Sequence, residues 1–225
     1  MASGFLSAHY RELRPCRNDE RFHVTLRSFP KICLFGLAIS LAACAPVRVR
    51  ETPAALAAQQ KREAQLAPLA HWTLTAHIGI SNRGDGGSGD LAWEQNGAAF
   101  RFTVRAPVTG KTWTLSGDAG HAVLEGVDPQ PDSGADAQRL LHDRLGWDVP
   151  LADLRAWVRG LRAPGSPADV QYDAQNLPAV IEQDGWRVEY RDWYTDRDPA
   201  MPRTVFASRG NARVRMVVES WNIDD

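Results

Sequence analysis

The chain has 225 residues, 44% hydrophobic and 24% charged, which is ordinary globular material for one domain of moderate size and leaves little for a second. Twenty-six lysines and arginines against twenty-seven aspartates and glutamates leave a formal charge of -1, so there is no global basic field to hold a nucleic acid. Cys16, Cys33 and Cys44 all lie in the first fifth of the chain, so nothing downstream can form an internal disulfide or a thiolate metal site.

Residues 1–23 are polar, of mixed charge, and fit no part of a signal peptide. The expectation is a start codon placed too early, with Val24 or Leu26 as the initiator; a genuine cytoplasmic extension is the alternative. From Ile32 to Ala45 no residue is charged, and Arg27 and Lys31 precede the run, as in a charged n-region followed by an h-region. A membrane-spanning helix needs about 20 apolar residues, so this run falls short. It closes on Leu41-Ala42-Ala43-Cys44, which resembles the lipobox of bacterial lipoproteins. That resemblance implies a diacylglycerol on the thiol of Cys44, cleavage before it, and acylation of the exposed amine. An ordinary signal peptide cut at an Ala-x-Ala site is the alternative. Two or three acyl chains, at about 0.8 kcal/mol per buried CH₂, hold a protein on a bilayer where one chain gives only marginal attachment. Ala45 and Pro46 follow, where an aspartate would resemble an inner-membrane retention signal. The expected address is therefore the periplasmic face of the outer membrane.

Residues 44–70 read as a tether with one short helix, AALAAQQKREAQL, stopped by Pro68. From Trp72 the period changes to two: Trp72, Leu74, Ala76, Ile78 and Ile80 share one face, as in a half-buried strand. Similar runs follow at 91–95, 99–105, 112–116, 122–127, 170–173, 180–183, 186–194, 204–208 and 213–223. Turn residues at 82–89, 96–97, 117–120, 184–185 and 210–211 separate them. About ten strands joined mainly by short turns predict a mainly β domain over 71–225, an antiparallel meander that curls toward a barrel. Two helices interrupt it. Ala137, Leu140, Leu141 and Leu145 have helical spacing, with Asp136 as N-cap and Gly146 as stop, and Leu151, Leu154, Trp157, Val158 and Leu161 repeat the pattern after Pro150. Each carries an apolar stripe that needs a partner surface, and the concave face of the sheet is that surface.

No motif for chemistry survives inspection. Gly84-Asp85-Gly86-Gly87-Ser88-Gly89 spells a dinucleotide fingerprint, but it leads into another strand, so it is expected to be a flexible hairpin loop. Six histidines are scattered, and Asp192, Asp196 and Asp198 lack the glycine and terminal glutamate of a calcium loop, so no metal or cofactor is expected. There is no G-x-S-x-G elbow, and the chain does not read as an enzyme. What stands out is the aromatic inventory on strands and helices: Trp72, Trp93, Phe100, Phe102, Trp113, Trp157, Trp186 and Trp221. A lipid cavity is a core with its centre left open.

The order of the pieces resembles the LolB family of outer-membrane lipoprotein receptors, in the LolA/LolB-like lipoprotein localisation group. The residues that carry the resemblance are the lipobox, AWEQ at 92–95, RAPVTGKTWTL at 105–115, DAQRLLHDRLGWDVPLADLRAWVRGL at 136–161, GWRVEY at 185–190, AMPRTVF at 200–206 and the closing VRMVVESWNI. It implies an incomplete, strongly curved antiparallel barrel with a helical lid enclosing a hydrophobic cavity. The implied function is acceptance of lipoproteins from the periplasmic carrier LolA and their release into the outer membrane, by a monomer, without nucleotide or metal. In the family a loop between early strands pushes an apolar residue into the membrane. The matching segment is Pro107, Val108, Thr109 and Gly110, with Val108 at that position and Thr109 an added residue. The cavity lining is expected from the pool Trp93, Phe100, Phe102, Val104, Leu115, Leu124, Leu140, Trp157 and Tyr190. The competing reading is a structural lipoprotein that scaffolds a partner assembly and carries no lipid.

Overall fold

The computed structural model describes residues 51–223 except 84, 108 and 109, so the expectations for the signal segment, Cys44, Val108 and Thr109 lie outside the described residues. Ala45–Asp225 forms one compact unit. It opens with α1 (Pro53–Leu66), where Thr52 caps the helix by accepting from the Ala55 amide at 3.1 Å and Pro53 occupies the first turn. Ala55, Gln59, Arg62 and Leu66 recur at helical spacing and are buried, so α1 is docked on the domain.

Eleven strands follow. They are β1 (His71–Asn82), β2 (Asp85–Asn96), β3 (Ala99–Arg105), β4 (Thr112–Gly117), β5 (Ala122–Glu125), β6 (Asp132–Gly134), β7 (Ala168–Tyr172), β8 (Pro178–Gln183), β9 (Trp186–Tyr194), β10 (Met201–Arg209) and β11 (Ala212–Ile223). They form a single antiparallel sheet in the order β6-β5-β4-β3-β2-β1-β11-β10-β9-β8-β7, two meanders joined through the β1–β11 ladder. β6 and β7 are the free edges, so the barrel is incomplete, as the resemblance implied. The helices α2 (Ala137–Leu145) and α3 (Leu151–Trp157) occupy the connection between those two edges.

One face of every long strand is buried: Trp72, Leu74, Ala76, Ile78 and Ile80 on β1, and Ala212, Val214, Met216, Val218 and Trp221 on β11. All of these belong to one hydrophobic cluster, so the sheet wraps around a common interior. Each large side chain fully buried there contributes about 1.5–3 kcal/mol. α2 starts at Asp136, whose carboxylate accepts from the Gln138 and Arg139 amides, and stops at Gly146 with φ +67, both as expected. After α3, Gly160 also takes a positive φ of +71, and a Cβ there would lie 2.6 Å from the Trp193 ring. Conformation and space both require glycine at this position.

The structure corrects several local expectations. The glycines at 86–89 are not in a flexible loop: β2 begins at Asp85 and pairs with β1 from Asn82↔Asp85 through Ile78↔Gly89. Its glycines admit close neighbours, since a Cβ on Gly89 would lie 2.6 Å from the Arg105 carbonyl and one on Gly87 would lie 3.2 Å from the Trp147 ring. β6 is an additional strand of turn-type residues, Asp132-Ser133-Gly134, made by ladder bonds to β5 rather than by propensity. α3 ends at Trp157, short of Leu161, because Gly160 turns the chain.

Candidate functional site

The site grows from the β2–β3 hairpin. Alternation turns Trp93 and Phe102 inward at paired positions, and their rings meet at 4.3 Å. Trp93 also meets Trp72 at 4.8 Å, Trp72 meets Trp221 at 5.7 Å, and Phe100 sets its edge on Phe102 at 5.5 Å. This aromatic ladder crosses the interior from β11 to β3, and its β3 end is left open. A groove of about 530 Å³ runs there, floored by Trp93, Phe100, Phe102 and Leu151 and flanked by Ala137, Ala152 and Arg155.

The polar groups around the groove are occupied by the fold. Gln95, 6% exposed, accepts from the Trp93 indole N–H at 3.1 Å and donates to the carbonyls of Gly97 and Ala99. Arg155 donates to the same Gly97 carbonyl at 3.1 Å, tying α3 to the β2–β3 turn. The backbone amides of Gly120 and His121 hold the Asp118 carboxyl below its usual range, and Asp136 serves as the α2 cap. Such a site can shelter an apolar chain, and its polar rim is held in fixed positions. A groove of about 550 Å³ near the end of α1 has Trp221 as its one aromatic and is lined also by Asp196, Arg197 and Asp198, so it is the more polar of the two. Among the described residues no cluster of His, Cys, Asp and Glu is placed to hold a metal.

Of the proposed lining pool, Trp93, Phe100 and Phe102 stand on the groove. Val104, Leu115, Leu124, Trp157 and Tyr190 are packed in the closed core behind it, and Leu140 rests on that core partly buried. Trp157 is 0% exposed and donates to Gln183 Oε1 at 3.0 Å. The Tyr190 hydroxyl donates to the Trp157 carbonyl at 2.7 Å, and burial pushes its phenol far above the ordinary range. Two buried arginines tie α1 to the end of α3. Arg62 donates to the Arg159 and Ala200 carbonyls, and Arg159 donates to the Leu66 carbonyl at 2.8 Å. Desolvation lowers both guanidiniums to about 10, which leaves them charged at neutral pH. Sequence reading passed over Gln95 and Gln183, although each falls in phase with the inward residues of its strand.

The β3–β4 loop lies at the other end of β3. Its base is closed by the Ala106 amide donating to the Lys111 carbonyl at 2.8 Å and the Gly110 amide donating to the Ala106 carbonyl at 2.9 Å. Pro107 and Gly110 are exposed. The strand registers put this loop at the same end of the sheet as the β1–β2, β8–β9 and β10–β11 turns.

The family model described as outer membrane lipoprotein LolB matches residues 70–221, that is, nearly the whole sheet with α2 and α3. This chain belongs to the LolB family of outer-membrane lipoproteins. It is 36% identical over 171 residues to LolB of Xanthomonas axonopodis pv. citri, covering 74% of this chain and 79% of that one. It is 35% identical over 213 residues to LolB of Xanthomonas euvesicatoria pv. vesicatoria, covering 88% and 98%. With LolB of Xylella fastidiosa the identity is 37% over 183 residues, covering 80% and 83%. No described helix is long and apolar enough to cross a membrane. In this LolB-family chain the groove and the loop share β3: Phe100 and Phe102 line one, and Arg105 leads into the other, roughly 10 Å beyond Phe102 and 17 Å beyond Phe100 at about 3.4 Å per residue.

Proposed function

We propose that this LolB-family chain accepts acylated lipoproteins from the periplasmic carrier LolA in its apolar interior and inserts them into the inner leaflet of the outer membrane. The observation that carries this reading is the aromatic groove, an apolar surface left open beside an otherwise filled core. Transfer then runs on relative affinity and needs neither nucleotide nor metal. Each methylene is worth about 0.8 kcal/mol, so an acyl chain passes through water too slowly, and carrier and receptor must dock mouth to mouth. The helices are unequal covers. α2 has a single fully buried residue, Leu141, whereas α3 buries Leu154, Ala156 and Trp157. Lifting α2 uncovers little, so it is the element that yields to a chain longer than the resting groove.

Ala152, exposed on the groove wall, tests the reading. Ala152→Trp fills the space without touching the core and is expected to lower uptake of a fluorescent fatty acid at least tenfold, with an unchanged melting temperature. Uptake equal to wild type would place the acyl site elsewhere, and no uptake by the wild-type domain would favour the scaffold reading.

The anchor belongs to the same proposal: Cys44 carries the acyl chains and sets the address, while the interior does the transfer. Mass spectrometry of the mature N-terminus is expected to find acylated Cys44 as the first residue. An unmodified Cys44 would remove the anchor from the account.

A further inference from the structure

The outer face of β9, β10 and β11 carries a group of arginines at the end of the sheet that bears the β3–β4 loop. Two adjacent rungs build it. In one, Glu189, Phe206, Arg215 and Gly79 lie across β9, β10, β11 and β1; in the next, Arg187, Ser208, Arg213 and Ser81 do. A groove of about 520 Å³ runs over these rungs. Its floor is low because Gly79 has no side chain and open space above its Cα, and Gly87 sits alongside.

Phe206 is an aromatic on the outer face, and the arginines are arranged around it. Arg191 stands over its ring at 4.3 Å and Arg215 at 5.5 Å, so both guanidiniums are pre-positioned by stacking. Arg187 is paired with Glu182 and Glu189, and Arg191 reaches Glu189 at 3.6 Å. Among the described residues, Arg213 and Arg215 form no ion pair. Arg213 donates only to the Gly210 carbonyl at 3.3 Å, and Arg215 has the Phe206 ring. The patch therefore keeps uncompensated positive charge with fork-shaped donors, which suits the oxygens of a phosphate.

We infer that this face binds the phosphate groups of bilayer lipids. The inference rests on the receptor reading, which brings the loop-bearing end of the sheet to the membrane. The Arg213–Arg187 rung lies one step from the β10–β11 and β8–β9 turns at that same end, so the arginines reach headgroup depth when the loop meets the surface. The groove lies open on the outer face of the sheet, which admits the headgroups of a surface better than it encloses a single soluble anion. Loop and arginines then supply two weak membrane signals, one apolar and one electrostatic, that add.

The test uses residues 45–225, the compact unit, without the acyl anchor. Cosedimentation is measured with vesicles of phosphatidylglycerol and phosphatidylethanolamine, and with vesicles of phosphatidylcholine alone. The double variant Arg213→Gln/Arg215→Gln is expected to bind the anionic vesicles roughly 30-fold more weakly, from about 1 kcal/mol per arginine near a charged surface. Arg213→Lys/Arg215→Lys is expected to retain most of the binding, and wild-type binding should fall as salt rises. Melting temperature and fatty-acid uptake of the Gln variant should equal wild type. Equal vesicle binding by the Gln variant overturns the inference, as does wild-type binding indifferent to lipid charge. Capture of a polyglutamate peptide without vesicle binding overturns it too, in favour of an acidic protein partner. A wild-type chain that takes up no fatty acid refutes the receptor reading instead, so the two failures are distinguishable.

Discussion

Gln183→Leu is expected to destabilise the domain by about 4 kcal/mol, a large fraction of the roughly 5–15 kcal/mol by which native domains are stable. Gln183 is 3% exposed, and its amide is a four-way junction. Oε1 accepts from the Trp157 indole at 3.0 Å and from the Ala163 amide at 2.8 Å, while Nε2 donates to the Ala163 carbonyl at 2.8 Å and the Ser166 carbonyl at 3.0 Å. Leucine matches the volume and satisfies none of the four, so two donors and two acceptors are orphaned where water cannot easily reach. Each such group costs about 1–3 kcal/mol, offset in part by relaxation of the chain at 163–166. The denaturant midpoint checks this, and a loss below about 1 kcal/mol would show that the segment after α3 re-pairs elsewhere. The fall in stability should be accompanied by loosened Trp157, because that indole and the Tyr190 hydroxyl on the Trp157 carbonyl are what fix the end of α3.

Val108→Glu is the second large effect, and it is expected in activity, with stability unchanged. If the β3–β4 loop enters the bilayer, a carboxylate at its apolar position must stay ionised near hydrocarbon or take up a proton. Charged side chains at membrane depth cost about 2.5–3.5 kcal/mol on insertion scales. Transfer of a lipoprotein from the receptor into liposomes should therefore fall roughly 100-fold, with fatty-acid uptake and melting temperature as in wild type. Normal delivery by the folded variant would remove the loop from the mechanism. Val108→Leu, a larger apolar residue, is expected to transfer at least as well as wild type.

Much of the architecture is legible in the sequence because the sheet is one-sided. The alternation from Trp72 to Ile80 shows which face is buried, and the same five side chains are inward in the structure. Asp136 and Gly146 mark α2 because cap and stop depend on local geometry alone. Periodicity fails where tertiary contact decides. The glycines of 86–89 look like a loop, yet they are strand residues chosen for close approach, a fact visible only once Trp147 and the Arg105 carbonyl are in place. The candidate site shows the same limit. Val104, Leu115 and Phe102 are all turned inward on neighbouring strands, and of the three only Phe102 fronts the groove, which is bounded on its other side by residues of α2 and α3. Arg62 and Arg159 look like solvent-facing helix residues. Their burial follows from the carbonyls they bond at the ends of α1 and α3, Arg62 to that of Arg159 and Arg159 to that of Leu66.

The open edges at β6 and β7 bear on what the interior can hold. In a closed barrel, strand number and shear fix the bore, and a wider guest can enter only by breaking ladder bonds. Here the circumference is interrupted, and the gap is spanned by helices held through side chains, such as Asn82 to Asp148 at 2.7 Å and Arg144 to Asp132 at 2.6 Å. The bore is thus an adjustable quantity. Moving α2 outward strains a few such contacts, each worth about 1 kcal/mol or less, and leaves every rung of the sheet intact, while α3 stays pinned by its buried face and by the Trp157–Gln183 hydrogen bond. On the receptor function proposed above, guests with different numbers and lengths of acyl chains are expected to be taken without any change in the backbone hydrogen-bond pattern.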